Sequence, residues 1–142
     1  MLRRTIAWIP LLMIFLAMIA CEGGTSGSVV GSSQSCQWGG SGGICEGKFK
    51  KLSGTYGVDI ENDDISSGDK IDVEVEVTLE SGVVNVSVES PEGRISSVQV
   101  LPNQPGTLIG QAEGEFSAFE VTFEAVDGDA ENIVWSISYQ IR

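Results

Sequence analysis

The sequence predicts an all-β domain, an antiparallel two-sheet β-sandwich of about seven or eight strands. It is preceded by a signal helix and a Gly/Ser linker. Three observations carry that prediction. From Phe49 onward the apolar residues recur every second position rather than every 3.6. Turn-forming pairs and triplets, Ser81-Gly82, Pro91-Glu92-Gly93 and Asp127-Gly128-Asp129 among them, separate the alternating runs at short intervals. Beyond residue 20, no stretch carries a helical stripe of apolar residues.

Taken in chain order, residues 1–20 read as an export signal. Arg3 and Arg4 precede an uncharged apolar run ending in Ile14-Phe15-Leu16-Ala17-Met18-Ile19-Ala20. A basic start, a short apolar core and a small residue at the cut define such a signal. The run is shorter than the roughly 20 apolar residues of a membrane-spanning helix and contains Pro10. Cys21 follows Ala20 directly, and the segment therefore resembles a bacterial lipoprotein signal with its lipobox cysteine. Met18 departs from the leucine usual three places before that cysteine. The resemblance implies lipidation of Cys21 and a lipid anchor on the extracytoplasmic side of a membrane of the bacterial cell envelope. Two or three acyl chains hold durably where one holds only marginally.

The span 21–35, the lipidated cysteine and a Gly/Ser-rich run, is expected to be a flexible tether. Residues 36–142 form the expected β-sandwich domain. Its first stretch contains Cys36 and Cys45, which remain as an even pair once Cys21 is set aside, and an oxidising compartment lets them close a disulfide. Trp38 lies between them among four glycines. It either caps the core or stands exposed as a platform on which a ligand stacks.

Tyr56, Val58 and Ile60 alternate with polar neighbours, and Ile71, Val73, Val75, Val77 and Leu79 do so most clearly. Ser81-Gly82 then predicts a hairpin to Val84, Val86 and Val88. A strand around Ile95–Val100 follows, then one near 108–112. Phe119, Val121, Phe123 and Ala125 make another apolar face, and Asp127-Gly128-Asp129 predicts a hairpin to Ile133, Trp135, Ile137, Tyr139 and Ile141. Phe116 and Ala118 break parity with the run beyond them, predicting a bulge or a two-sided strand. The succession of Val84–Gly93 and then Phe116–Ala125 resembles the layout of GOLD-like and related jelly-roll domains. It rests on generic strand patterning.

Charge and composition narrow the function. The chain has 20 acidic residues, eight basic ones and no histidine, for a net charge of −12. All 20 acids follow residue 20, a surface that repels nucleic acid and favours basic partners or cations. Without histidine, Ser-His and Cys-His nucleophile pairs and ordinary zinc sites are excluded. Asp72, Glu74 and Glu76 alternate along an open strand, the pattern of a solvated face rather than of a glycosidase pair. Lys48, Lys50 and Lys51 are suited to pairing with acids or to discouraging edge-to-edge association. Asp59, Asp63, Asp64 and Asp69 form the densest set of oxygen ligands, a candidate calcium loop that does not meet the EF-hand template. The same residues are ordinary turn formers.

The expectation is a non-enzymatic, membrane-tethered binding or interaction module of the envelope. A carbohydrate-binding domain with structural calcium, and a structural subunit of an envelope complex, are the alternatives. Its partners are the membrane through the anchor, and an envelope protein or a glycan.

Overall fold

The computed structural model describes residues 26–142, so the signal segment and Cys21 lie outside the described residues. Among the described residues the chain is all-β, without helix. Nine strands follow one another: β1 (Ser28–Val30), β2 (Ser33–Gly39), β3 (Gly42–Ser53), β4 (Thr55–Glu61), β5 (Lys70–Thr78), β6 (Ser81–Glu89), β7 (Ile95–Val100), β8 (Gly106–Glu113) and β9 (Ala118–Ile141). The period-two alternation is realised residue by residue. Ile71, Val73, Val75 and Val77 of β5 are buried, and the intervening acids face outward.

Every pairing is antiparallel, and one strand organises them all. The first half of β9 lies between β4 and β6, with β7 beyond β6. The second half lies between β3 and β5, with β8 beyond β5 and with β1 and β2 on the far side of β3. All nine strands thus belong to a single hydrogen-bonded sheet where two separate sheets were expected. The sheet is β-sandwich-like because its two halves share one core. Phe49 of β3 meets Phe123 of β9 edge-on at 5.5 Å and Tyr56 of β4 at 5.7 Å, and Phe123 lies 6.1 Å from Trp135. Each such side chain stabilises the fold by about 1.5–3 kcal/mol through burial. The segments 84–87 and 122–125, which carry the jelly-roll-like layout, are direct neighbours in this sheet.

Two of the expected hairpins are not hairpins. β5 and β6 do not pair; Ser81-Gly82 instead carries the chain across from one half-sheet to the other, where Ser81 pairs with Glu131. Gly82 has φ +88°, and a Cβ there would lie 2.6 Å from the Asp129 carbonyl and 2.7 Å from Ala130 Cα. The glycine serves a close approach of backbones, not a tight reversal. Asp127-Gly128-Asp129 likewise does not fold β9 back on itself. Positive φ at Asp127 (57°) and Gly128 (122°) accommodates a bulge between the pairs Ser81–Glu131 and Val83–Val126, and the strand runs on to new partners.

The expected tether is also partly strand. Val29 pairs with Leu52, and Ser33 to Ser35 pair with Lys48 to Glu46. Strand pairing is a backbone property, so a glycine- and serine-rich composition does not forbid it where a long neighbour such as β3 offers free edge groups.

Candidate functional site

The connection between β8 and β9 is a two-residue reversal. Glu115 and Ala118 exchange both backbone hydrogen bonds (2.8 and 3.1 Å), leaving Phe116 and Ser117 at the tip with φ of 49° and 63°. Such a turn asks for Asn-Gly, because two successive residues must adopt the left-handed region. A phenylalanine there is an outlier, and its ring is 85% exposed. Sequence parity placed Phe116 on a bulge or a two-sided strand. Neither Phe nor Ser is a turn former of this type; the glycine of the connection, Gly114, lies two residues before the tip.

This turn is braced by the loop between β4 and β5. The Asn62 amide donates to the Ser117 carbonyl (2.9 Å), Gly68 donates to Gly114 (2.8 Å) and Gly114 donates back to Asp69 (2.9 Å). The Phe116 amide donates to Ser67 Oγ (3.3 Å). A Cβ at Gly114 would meet the Ser66 carbonyl at 2.5 Å, so only glycine lets the two segments dock.

The four aspartates expected to hold calcium belong to this region but do not converge. Asp59 lies on β4, Asp64 donates its amide to Asn62 Oδ1 (2.9 Å), and Asp69 Oδ2 accepts the Ser66 amide (2.8 Å). Among the described residues, no group of three or more carboxylate, cysteine or histidine side chains is arranged to hold a metal ion. In this geometry Asp69 closes a turn, and the loop supports its neighbour.

Below Phe116 lies a groove of about 460 Å³. Asp59 and Glu61 of β4, Glu89 of β6, Glu113 of β8, Glu115 and Glu120 line it together with Phe116. Asp59 sits directly opposite Glu120 across the β4–β9 ladder. Two like charges facing each other on neighbouring strands destabilise the pair. No lysine or arginine among the described residues pairs with any of the six carboxylates; Glu120 accepts only the Thr122 hydroxyl (3.2 Å).

Three acids elsewhere are matched by a base. Lys51 binds Asp129 at 2.8 Å, Lys70 binds Glu92, and Arg142 binds Asp72. Hydrogen bonds from Lys51 and then Ser53 hold the Asp129 carboxyl below its usual range. Gln111 first and Arg142 second do the same for Asp72, and Lys70 for Glu92. The three ion pairs among the described residues thus all lie away from the groove.

The remaining sequence-predicted residues are placed plainly. Cys36 and Cys45 are disulfide-bonded, directly opposite each other on β2 and β3 with Cα atoms 4.1 Å apart. Trp38 is 57% exposed, so it does not cap the core; it stands on β2 beside the Gly40-Ser41 reversal.

No family model matches this chain, and no curated protein matches it significantly. Solved structures similar to it include a CBM4 structure, at 8% identity and TM-score 0.41, covering 68% of this chain and 71% of the other. The family 11 carbohydrate-binding module of a cellulosomal cellulase from Clostridium thermocellum is similar at 11% identity and TM-score 0.34, covering 83% and 84%. The enzymatically active domain of a bacteriophage tailspike protein is similar at 9% identity and TM-score 0.38; this chain spans about a fifth of its length, 19%. No residue correspondence follows from likeness at this level.

Proposed function

We propose that this chain is a lipid-anchored protein of the bacterial envelope whose all-β domain is a non-enzymatic binding module, and that it takes a cationic segment of a protein partner into the groove beneath Phe116. One observation carries the reading: six carboxylates without a basic neighbour line a groove whose rim holds an exposed aromatic ring in a strained turn. Strained backbone concentrates where a side chain has a task. An exposed ring above carboxylates suits a lysine or arginine, which gains a cation–π contact and a charge partner together.

Support for a non-enzymatic role is chemical. The chain has no histidine, and each carboxylate with a resolved shift is lowered, the opposite of what a general acid requires. The anchor reading rests on the residues leading to Cys21.

Calorimetry with decalysine against a Gly/Ser peptide of equal length tests the groove. The full chain in detergent micelles is expected to bind decalysine with an affinity that falls steeply with salt. The pair Glu113→Lys and Glu115→Lys should weaken it at least about tenfold, and Phe116→Ala by a few-fold, as loss of an exposed cation–π contact implies. Equal binding of both peptides sinks the reading. A second reading, glycan binding, is favoured by the exposure of Trp38; it expects retention on a glycan array that Trp38→Ala abolishes.

A further inference from the structure

The chain enters its domain at one end and carries the acidic groove toward the other. Ser26 and Gly27 pack on the turn between β3 and β4. A Cβ on Gly54 would lie 2.6 Å from the Ser26 carbonyl oxygen, and one on Gly27 would lie 2.5 Å from the Thr55 amide nitrogen. β1 then pairs with the last residues of β3, Val29 with Leu52. The 127–129 bulge belongs to this end too: the Ser53 hydroxyl donates to Asp129 Oδ1 (2.6 Å), and Ala130 pairs with Leu52.

β4 runs away from that turn, from Thr55 to Glu61, and Glu61 pairs with Ala118 beside the Phe116 reversal. At the usual rise of a strand, the entry turn and the Phe116 reversal are about 20 Å apart. Charge divides along the same axis. Lys48, Lys50 and Lys51 all lie on the half of β3 that leads to the entry turn. The groove beside the reversal has its six carboxylates and no base.

Covalent geometry then limits how the domain stands on a membrane. Cys21 precedes Ser26 by five residues, a length of chain that reaches at most about 18 Å when fully extended. Anchored at that cysteine, the domain keeps its entry turn close to the lipid. It can stand upright on that end or lie on its side. Lying down brings the groove carboxylates within the roughly 8 Å over which charges act at physiological salt, where anionic headgroups repel them. Standing upright holds them beyond that range and turns the lysine-bearing end to the headgroups. We infer that the β3–β4 turn and the 127–129 bulge form the face this protein turns to the lipid, held there by its short tether, so that the groove opens away from the membrane. The cationic segment that enters the groove then belongs to a partner approaching from the aqueous side, not to the basic flank of a span in the same bilayer. This rests on the lipid anchor and on the groove as proposed above.

Paramagnetic broadening tests it. The acylated chain from a bacterial host, deuterated and ¹⁵N-labelled, is placed in nanodiscs of phosphatidylcholine and anionic phosphatidylglycerol doped with a gadolinium-chelating lipid. The amide signals of Ser53 and Gly54 are expected to vanish while those of Phe116 and Ser117 persist. Inserting about 20 Gly/Ser residues after Gly24 lengthens the tether and should restore the Ser53 and Gly54 signals. Loss at Phe116 and Ser117 overturns the inference, and so does persistence of all four signals. A contrast that survives the insertion overturns it as well, because the surface of the domain rather than its tether would then set the attitude. Flotation with vesicles separates the anchor from its consequence. A chain that floats no better than its Cys21→Ser variant removes the anchor and this inference together; a floating chain with the wrong broadening pattern removes only the orientation. The groove itself stands or falls with decalysine.

Discussion

Phe116, at the turn that leads into β9, and Trp135, in the second half of β9, are treated in opposite ways. Phe116 stands in water at the tip of a reversal that suits Asn-Gly, held there against its backbone preference. Trp135 is sealed in the second half of β9 with a relaxed backbone, but its N–H goes unanswered. One ring has its strain in φ, the other in a missing acceptor. Around the first, charge is left unbalanced; around the second, packing is dense and the glycine at 47 is fitted to the ring. The contrast teaches that this fold concedes stability at two places of different chemistry.

The largest break in that comparison is Trp135→Ala. It empties the junction of both half-sheets and should lower the unfolding free energy by about 3–5 kcal/mol in denaturant melts. A loss under about 1 kcal/mol would show that the aromatic wall carries little of the core. Next, replacing Phe116 by Asn together with Ser117 by Gly supplies the residues the reversal asks for. That pair should raise stability by about 1 kcal/mol while reducing binding of decalysine. A destabilised double variant would contradict the reading of strain at the tip.

Smaller still, Glu120→Gln removes one of two facing charges and should stabilise by a few tenths of a kcal/mol, an effect that high salt erases. The smallest effect concerns the matched acids. Asp72 has its folded pKa lowered, chiefly by Gln111, so its contribution is complete above the unfolded carboxylate value near 3.8 and is lost as pH falls through the lower folded value. The melting temperature of wild type should therefore exceed that of Asp72→Asn slightly at pH 6, with the gap closing below pH 4. A gap that widens in acid would reverse the assigned cause.

Strand identity was legible from Phe49 onward because half-buried strands expose and bury alternate residues, and the alternation survives in a single sequence. The disulfide was legible once Cys21 was set aside as the lipobox cysteine, which left Cys36 and Cys45 as an even pair. The acidic groove was not: Asp59, Glu89, Glu113 and Glu120 come from four strands, and only their register gathers them. Turn chemistry misled twice. Gly82 and Gly128 mark departures from regular strand, and a departure can be a crossing or a bulge as well as a reversal. At Phe116 the reversal sits two residues beyond the glycine of its connection, Gly114, with neither glycine nor asparagine at its tip.

By itself, then, the order of residues determined the all-β character, the buried faces, the cysteine pair and the sign of the surface, because each follows from neighbours a few positions apart. Tertiary structure decided which strands meet, that β9 serves both halves, and that six acids face where they do. Those outcomes depend on pairings between residues up to a hundred positions apart, whose free energies are shared across the whole sheet and leave no local mark.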